Sequence, residues 1–574
     1  MKTYISGFLF LLLFTVNSGF KSYSQGTGGS FCNPINLSYR FQLDEPSRRE
    51  AADPSVIRYK NDYFMFISKS GGYYHSKDLV DWKLITSADL PLEEYAPTAI
   101  VMDDAVYFMT MNQQIYKSSD PLNGKWQIVN DSIHVRAFDP ALFLDDTGKL
   151  YLYHGLSPRN PLYGVELDRK TLQPIGEEYD LLNTHTDIYG WERTGDYNTG
   201  SKKRPWLEGA FMTKYNNKYY LQYSVPGTQF KSYADGMYIS DNPLGPFELA
   251  ENNPFSYKPE GFVAGAGHGS TFQDEYGNYW YAGTMCIAIR HRLERRVGMF
   301  PAFFDKDGCF YAYTGFGDYP YNMPNKKMKS YEDYKPSYML LSYNKPVEVS
   351  STLDNYAKEN SVNEDIQNCW SALSGNKGEW LMIDLEGEKN VHAVQINFAE
   401  VDTKILGRPD GIYYQYLIEY SNDKKTWKTL MDKTKNTQDK PHDYTELASA
   451  VKARYIRITN YRVPDGKFAI SGFRIFGFGN GGKPKQVDLL NAERNPTDGC
   501  VVKLSWKKDA NTTGYNIRYG IAPDKLYLNY QVLDSGNLTI NSLNSLQDYY
   551  FTIDAFNDSG ITPGKEVIKS SKNK

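Results

Sequence analysis

Three acidic residues stand in matching local settings far apart along the chain. Asp53 lies in Ala51-Ala-Asp-Pro-Ser-Val-Ile57, Asp139 in Ala137-Phe-Asp-Pro-Ala-Leu-Phe143, and Glu208 in Pro205-Trp-Leu-Glu-Gly-Ala-Phe211. Each comes just ahead of an apolar-aromatic hairpin. Taken singly, Asp-Pro starts a turn and Glu-Gly ends a strand, so a turn role is the ordinary explanation. Three such placements ahead of different hairpins point instead to carboxyls gathered in one small volume. A gathered set suits hydrolysis of a glycosidic bond. One carboxylic acid protonates the leaving oxygen, one carboxylate activates a water on the opposite face, and a third charge holds the acid's pKa up by repulsion. Asp103, Asp104, Asp145 and Asp146 lie beside hairpin turns and read as solvated corners.

A repeat supplies the framework. Asp62-Tyr-Phe-Met-Phe-Ile-Ser68, Ala105-Val-Tyr-Phe-Met-Thr110, Lys149-Leu-Tyr-Leu-Tyr-His154, Lys218-Tyr-Tyr-Leu-Gln-Tyr-Ser224 and Asn278-Tyr-Trp-Tyr-Ala-Gly283 are variants of one strand. Three are followed by Ser and Asp before an aromatic ring, as in Ser76-Lys-Asp-Leu-Val-Asp-Trp82. Short strands bounded by turn residues and recurring every roughly 40 to 70 residues predict β-propeller blades, five of them over residues 31–320. The first strand of each blade lies nearest the axis, where the three acids would meet.

The chain has 574 residues, which at roughly 100 to 200 per domain predicts several domains. Aromatic residues reach 15% through 48 Tyr, and Gly and Pro are plentiful, which favours strands, turns and flat rings that stack on sugars. A net charge of −4 without a basic stripe excludes a phosphate-backbone partner, so no nucleic acid is expected. Met1-Lys2, an apolar run over residues 4–16 and small polar residues to Ser24 have the layout of a secretory signal over 1–24, with the mature chain starting near Gln25. That run is short for a bilayer and no later window is long enough, so no membrane span is expected. The expected location is secreted or periplasmic, with cell-surface attachment as the alternative. Cys32, Cys286, Cys309, Cys369 and Cys500 show no metal-site spacing and read as buried small hydrophobes with at most one or two bridges.

With these motifs in place, the first half of the chain resembles glycoside hydrolase family 43. The resemblance rests on Asp-Pro-Ser-Val-Ile with its Tyr-Phe-Met-Phe strand, on Phe-Asp-Pro-Ala-Leu-Phe followed by Asp-Asp-Thr-Gly-Lys-Leu-Tyr-Leu, and on Glu-Gly before Lys-Tyr-Tyr-Leu-Gln-Tyr-Ser. It implies a five-bladed propeller and an inverting reaction. Asp53 would be the general base, Asp139 the pKa modulator and Glu208 the general acid. Base and acid carboxyls would then stand roughly 6.5 to 9.5 Å apart, with water between them. Gly265-Ala-Gly-His-Gly-Ser-Thr271 puts His268 at the fifth blade's first strand. The resemblance implies a pocket-floor role there or an ion ligand, beside the alternative of a structural histidine. No cofactor is required, and a structural or pocket-floor calcium ion stays open. Trp206 is a candidate sugar platform, with core packing as the alternative. Arg290 or Arg292 is a candidate partner for a sugar hydroxyl or for the modulator. Tyr95-Ala-Pro stands where many members carry Trp-Ala-Pro.

Residues 321–346 read as a linker or a strand wrapping the first domain. Residues 347–478 resemble the coagulation factor 5/8 type C, or discoidin-like, β-sandwich, on Ser361-Val-Asn-Glu-Asp-Ile-Gln-Asn-Cys-Trp-Ser-Ala372, Gly378-Glu-Trp-Leu-Met-Ile-Asp-Leu385, Arg454-Tyr-Ile-Arg-Ile and Gly472-Phe-Arg-Ile-Phe476. Trp370 and Trp380 read as core there, and a carbohydrate-binding role stands against that of a brace. After the hinge 479–485, residues 486–570 resemble fibronectin type III, with Trp506 as its core ring and Tyr549 or Tyr550 at the tyrosine corner.

The expectation is an all-β, exported, inverting glycoside hydrolase, a monomer acting on arabinose- or xylose-containing plant glycans as an α-L-arabinofuranosidase or β-xylosidase. The alternatives are a galactose-directed exo-glycosidase of the same fold, and a non-catalytic carbohydrate-binding or adhesion protein.

Overall fold

The computed structural model describes residues 29–200 and 203–573, so the export signal expected over 1–24 lies outside the described residues. Regular structure is almost wholly strand, and the helical elements among the described residues are short 3-10 turns.

Residues 55–312 form five four-stranded antiparallel meanders in chain order, the fourth and fifth joined by one parallel pairing of Ala234 with Ala266. Their hairpins follow local chemistry. Asp103 and Asp104 both adopt positive φ between Thr98–Met102 and Ala105–Met109, as do Asn216 and Asn217 between Glu208–Tyr215 and Lys218–Val225. Two such residues make the tight turn whose twist matches a β-hairpin, and Asp and Asn tolerate that backbone best. The second strands are apolar along nearly their whole length: in Ala105–Met109 every side chain is buried. A sheet covered on both faces requires such a run, in place of strict alternation.

The five first strands, Ser55–Tyr59, Thr98–Met102, Ala141–Leu144, Glu208–Tyr215 and Ala264–Gln273, touch one another in cyclic order, the last closing on the first. Backbone N–H groups on this ring find no strand partner in the next sheet, and hydroxyls take their place. Val56 N–H donates to Ser270 Oγ at 2.9 Å, Ala99 N–H to Ser55 Oγ at 3.1 Å and Leu142 N–H to Thr98 Oγ1 at 3.0 Å. Ser270, Ser55 and Thr98 therefore tie the fifth, first, second and third of these strands to one another.

Ser30–Phe31 pairs with Tyr321–Asn322, and Tyr321 stacks on Tyr334 at 4.0 Å, so residues 321–338 lie against the first unit. Met339–Leu340 already pairs with Ala469–Phe478 in the second unit, an eight-stranded sheet. Its two longest strands, Trp380–Phe398 and His442–Arg462, carry bulges at Asp384/Lys389 and Val391/Ala393 that bend them around an apolar core. Trp370 is fully buried in that core and Trp380 is partly exposed. The last unit packs a three-stranded sheet (Leu489–Arg494, Val502–Trp506, Asn537–Ile540) with a five-stranded one around Trp506, Tyr515, Tyr519 and Tyr549. Tyr549 Oη accepts the Asn544 N–H at 3.1 Å. All five cysteines are unpaired.

Candidate active site

Asp53 and Asp139 occupy the turns leading into two of the inner strands, and Glu208 opens a third. The turns share one backbone device. Asp53, Ala96 and Asp139 each precede a proline, and each adopts positive φ (54°, 48° and 47°). A non-glycine residue there costs about 1–2 kcal/mol, and such strain is kept where surrounding structure over-determines it. Proline disfavours the right-handed helical region for the residue ahead of it. In Asp53 and Asp139 the side chain turns into the ring. At the fourth unit Gly209 (φ 65°) does the corresponding work beside Glu208. At the fifth it is His268 (φ 40°).

The three carboxyls are 6%, 6% and 9% exposed, which is too deep for unpaired charge. His268 is their common neighbour: its Nδ1 lies 3.3 Å from Asp53 Oδ1 and 3.8 Å from Asp139 Oδ2. Its backbone N–H donates to Ser224 Oγ at 2.9 Å and to the buried Asp235 Oδ1 at 2.8 Å, which holds the loop in place. Arg295 Nη1 lies 3.6 Å from Asp53 Oδ1. Ser68 Oγ donates to Asp53 Oδ2 at 2.6 Å, and the Asp53 N–H donates to Thr284 Oγ1 at 2.8 Å. Tyr233 Oη donates to Glu208 Oε1, and Gly209 N–H to the Asp139 carboxylate.

These contacts separate the titrations. Burial alone would push Asp53 up, but His268, Arg295 and the Ser68 hydroxyl together hold it below the usual carboxylate range. Burial raises Asp139 well above that range, helped by repulsion from Glu208 and Asp53. Burial also raises Glu208, against the pull of His268 and Tyr233. Asp139 and Glu208 thus keep a proton at a pH where Asp53 is already ionised. One ionised carboxylate beside a protonated pair is the division of labour that acid–base hydrolysis of an acetal needs.

Trp206, two residues ahead of Glu208, is 43% exposed, so it is not packed in a core; its backbone N–H donates to the Pro226 carbonyl at 2.9 Å. Arg290 does not meet the modulator carboxylate. Its guanidinium donates to the Ser47 carbonyl at 3.2 Å and its N–H to Glu294, outside the carboxyl cluster. The cation that meets the cluster is Arg295, at the start of the third strand of the fifth sheet, and its partner there is Asp53 in place of the modulator Asp139. Arg295, Tyr233, Ser68 and Thr284 were not singled out from the sequence. Arg295-Arg296 did carry a signal: two charges at the head of an otherwise apolar strand must find buried partners. Among the described residues no three His, Cys, Asp or Glu side chains are grouped so as to hold a metal ion.

Two stretches of the chain are similar to known families. Residues 47–310 match the model of glycosyl hydrolases family 43, and residues 346–470 that of the F5/8 type C domain. The chain is thus similar to family 43 glycoside hydrolases over the first of these stretches and to F5/8 type C domains over the second. It is 28% identical over 296 residues to a non-reducing end α-L-arabinofuranosidase of Bacteroides ovatus, covering 45% of this chain and 50% of that protein. It is 23% identical over 272 residues to a xylan 1,3-β-xylosidase of a Vibrio species, covering 41% and 47%. This chain spans about half the length of these curated relatives. A solved family 43 protein of Bacillus licheniformis aligns over 93% of this chain and 91% of its own, at 16% identity and a TM-score of 0.39. No helix among the described residues is long and apolar enough to cross a membrane.

Proposed function

We propose that this protein is an inverting glycoside hydrolase that releases arabinose or xylose units from plant polysaccharide or oligosaccharide side chains. The observation that carries the reading is the meeting of Asp53, Asp139 and Glu208, from three sheets, around His268, with Asp53 ionised and the other two holding a proton. Asp53 takes a proton from a water molecule as the water oxygen bonds to the anomeric carbon. Glu208 gives its proton to the leaving glycosidic oxygen as that C–O bond breaks. Burial and the charge of Asp53 keep Glu208 protonated, and Asp139, hydrogen-bonded by the N–H beside Glu208, sits against the acid as its modulator. The exposed Trp206 ring supplies a sugar platform next to the acid.

The five meanders with a closed ring of first strands support a five-bladed propeller, and the last unit's three- and five-stranded sheets with the Tyr549 hydroxyl bond support a fibronectin type III fold. The test uses purified protein, aryl arabinofuranoside, xyloside and galactoside substrates, and Glu208→Gln. Wild type is expected to cleave the arabinofuranoside or the xyloside. The variant is expected to lose about 10²–10⁴ of its rate on an unactivated glycoside, where acid assistance matters most. Cleavage of the galactoside alone would replace the sugar assignment, and equal turnover by both proteins would remove Glu208 from the acid role.

A further inference from the structure

Five residues, Arg49 to Asp53, join the F5/8 type C domain to the carboxyl cluster. Arg49 is fully buried, and its guanidinium is gripped by acids of that domain: Nε by Glu400, Nη1 and Nη2 by Asp439 at 2.7 and 2.9 Å. The same guanidinium lies 4.2 Å over the Phe41 ring and donates to the Tyr39 carbonyl. The Arg49 carbonyl accepts from Arg296 Nη1 at 2.9 Å, and Arg296 Nε donates to His442 of the second unit at 2.8 Å. Glu50, also fully buried, receives Arg295 Nη2 at 2.7 Å, and Arg295 is the cation beside Asp53. Ala51 N–H donates to the Arg295 carbonyl at 3.3 Å.

We propose that Arg49 is a positioning residue through which the F5/8 type C domain sets the Arg295–Asp53 pair, so that this domain is part of the catalytic apparatus and not a tethered sugar-binding appendage. The proposal rests on the reading of Asp53 as the base. Its geometry is short and rigid. One end of the segment is clamped by a bidentate ion pair to the second domain, and the other end presents the base, with Glu50 between them holding the cation that keeps the base ionised. The groups facing Asp53 are His268, Arg295, Asp139, Glu208, Tyr233 and Tyr95. Among them Arg295 is the cation tied directly to the clamped segment. Slack in the segment weakens its hold on Asp53 and lets the carboxyl rise toward its ordinary value.

The experiment compares the full-length wild type, Arg49→Gln, Arg49→Lys, Glu400→Gln and Asp53→Asn on one unactivated glycoside that wild type cleaves. It measures kcat, KM and the pH profile of kcat/KM at a temperature where each protein is folded by circular dichroism. Arg49→Gln is expected to lower kcat about tenfold with KM changed less than about twofold, and to move the acid limb to higher pH. Glu400→Gln is expected to move both in the same direction by less, and Arg49→Lys to fall between wild type and Arg49→Gln. Loss of thermal stability with kcat and the acid limb unchanged would overturn the proposal and leave Arg49 as an interdomain clamp. If Arg49→Gln does not fold, Glu400→Gln decides by the same two readouts. Wild-type kcat in Asp53→Asn would instead overturn the base assignment, which keeps the two failures distinct.

Discussion

Asp53 and Glu208 are carboxyls of nearly equal intrinsic acidity, and the fold moves them in opposite directions. His268 and Arg295 hold Asp53 below its ordinary range, while burial lifts Glu208 above its own. A bell-shaped profile of kcat/KM is expected, its acid limb set by Asp53 and its basic limb by the protonated Asp139–Glu208 pair. Tyr233→Phe removes a donor that favours ionised Glu208. The basic limb should then move to higher pH while the acid limb stays; a basic limb that stays or falls would show that Tyr233 does not tune the acid. The linked stabilities have opposite signs. Asp53, depressed in the fold, stabilises above its unfolded pKa, and that share is lost as pH falls through its folded value. Asp139 and Glu208, raised in the fold, stabilise at low pH, and that share is lost as pH rises from their unfolded values through their folded ones.

At the scale of the elements, the inner strands are set by what each turn can accommodate. A Cβ on Gly209 would stand 2.3 Å from Ser224 Oγ and 2.9 Å from His268 Cγ, at a φ of 65° that side chains avoid. Gly209→Ala is expected to displace His268 from the carboxyls and to cut kcat by about 10² or more, with about 1–2 kcal/mol lost from the backbone alone. Wild-type kcat with only a lowered melting temperature would contradict this. The segment ahead of Glu208 holds a second buried acid. Glu192, wholly buried, accepts from Tyr223 Oη at 2.8 Å and from the His185 N–H, and burial pushes it up to about 8. Native Glu192 therefore binds a proton that the unfolded chain has released above its ordinary range, so its share of stability falls as pH rises toward about 8. Glu192→Gln should flatten that part of the stability–pH curve, which urea denaturation at a series of pH values measures. An unchanged slope would mean that Glu192 is ionised in the fold.

Taken as a whole, the molecule is three units with buried contacts among them. Arg474, fully buried, pairs with Glu364 at 2.8 Å and donates to the Asp318 carbonyl of the first unit at 2.6 Å. Tyr527 of the last unit stacks on Tyr311 at 3.8 Å, and Arg193 pairs with Asp498 at 2.7 Å. Calorimetry is expected to show one cooperative transition for the full chain; a separate early transition of the last unit would argue that these contacts are weak. Arg193→Ala should lower stability by about 2 kcal/mol, since it strips a partly buried ion pair and leaves Asp498 without its partner.

Much of the site was legible along the chain, because local backbone chemistry repeats. Asp-Pro and Glu-Gly ahead of aromatic hairpins identified Asp53, Asp139 and Glu208, and Asp103-Asp104 read as the corner it is. Gly-His-Gly marked His268 for the same reason: a turn with positive φ leaves a local trace. Arg295 left a weaker one, and Arg290 drew attention by lying in a run of charges beside it in sequence, although its side chain turns to Ser47. Which of several neighbouring arginines meets Asp53 depends on which strand end faces the axis, and that follows from sheet pairing. The tie from Arg49 to Asp439 spans 390 residues, and no periodicity or turn signal carries such a distance. Local sequence determined the turns, strands and acid-bearing motifs through sterics and hydrogen bonding within a few residues. Only the tertiary structure decided which charges share a dry interior, because burial and the proximity of distant chain segments set both the pKa directions and the partners.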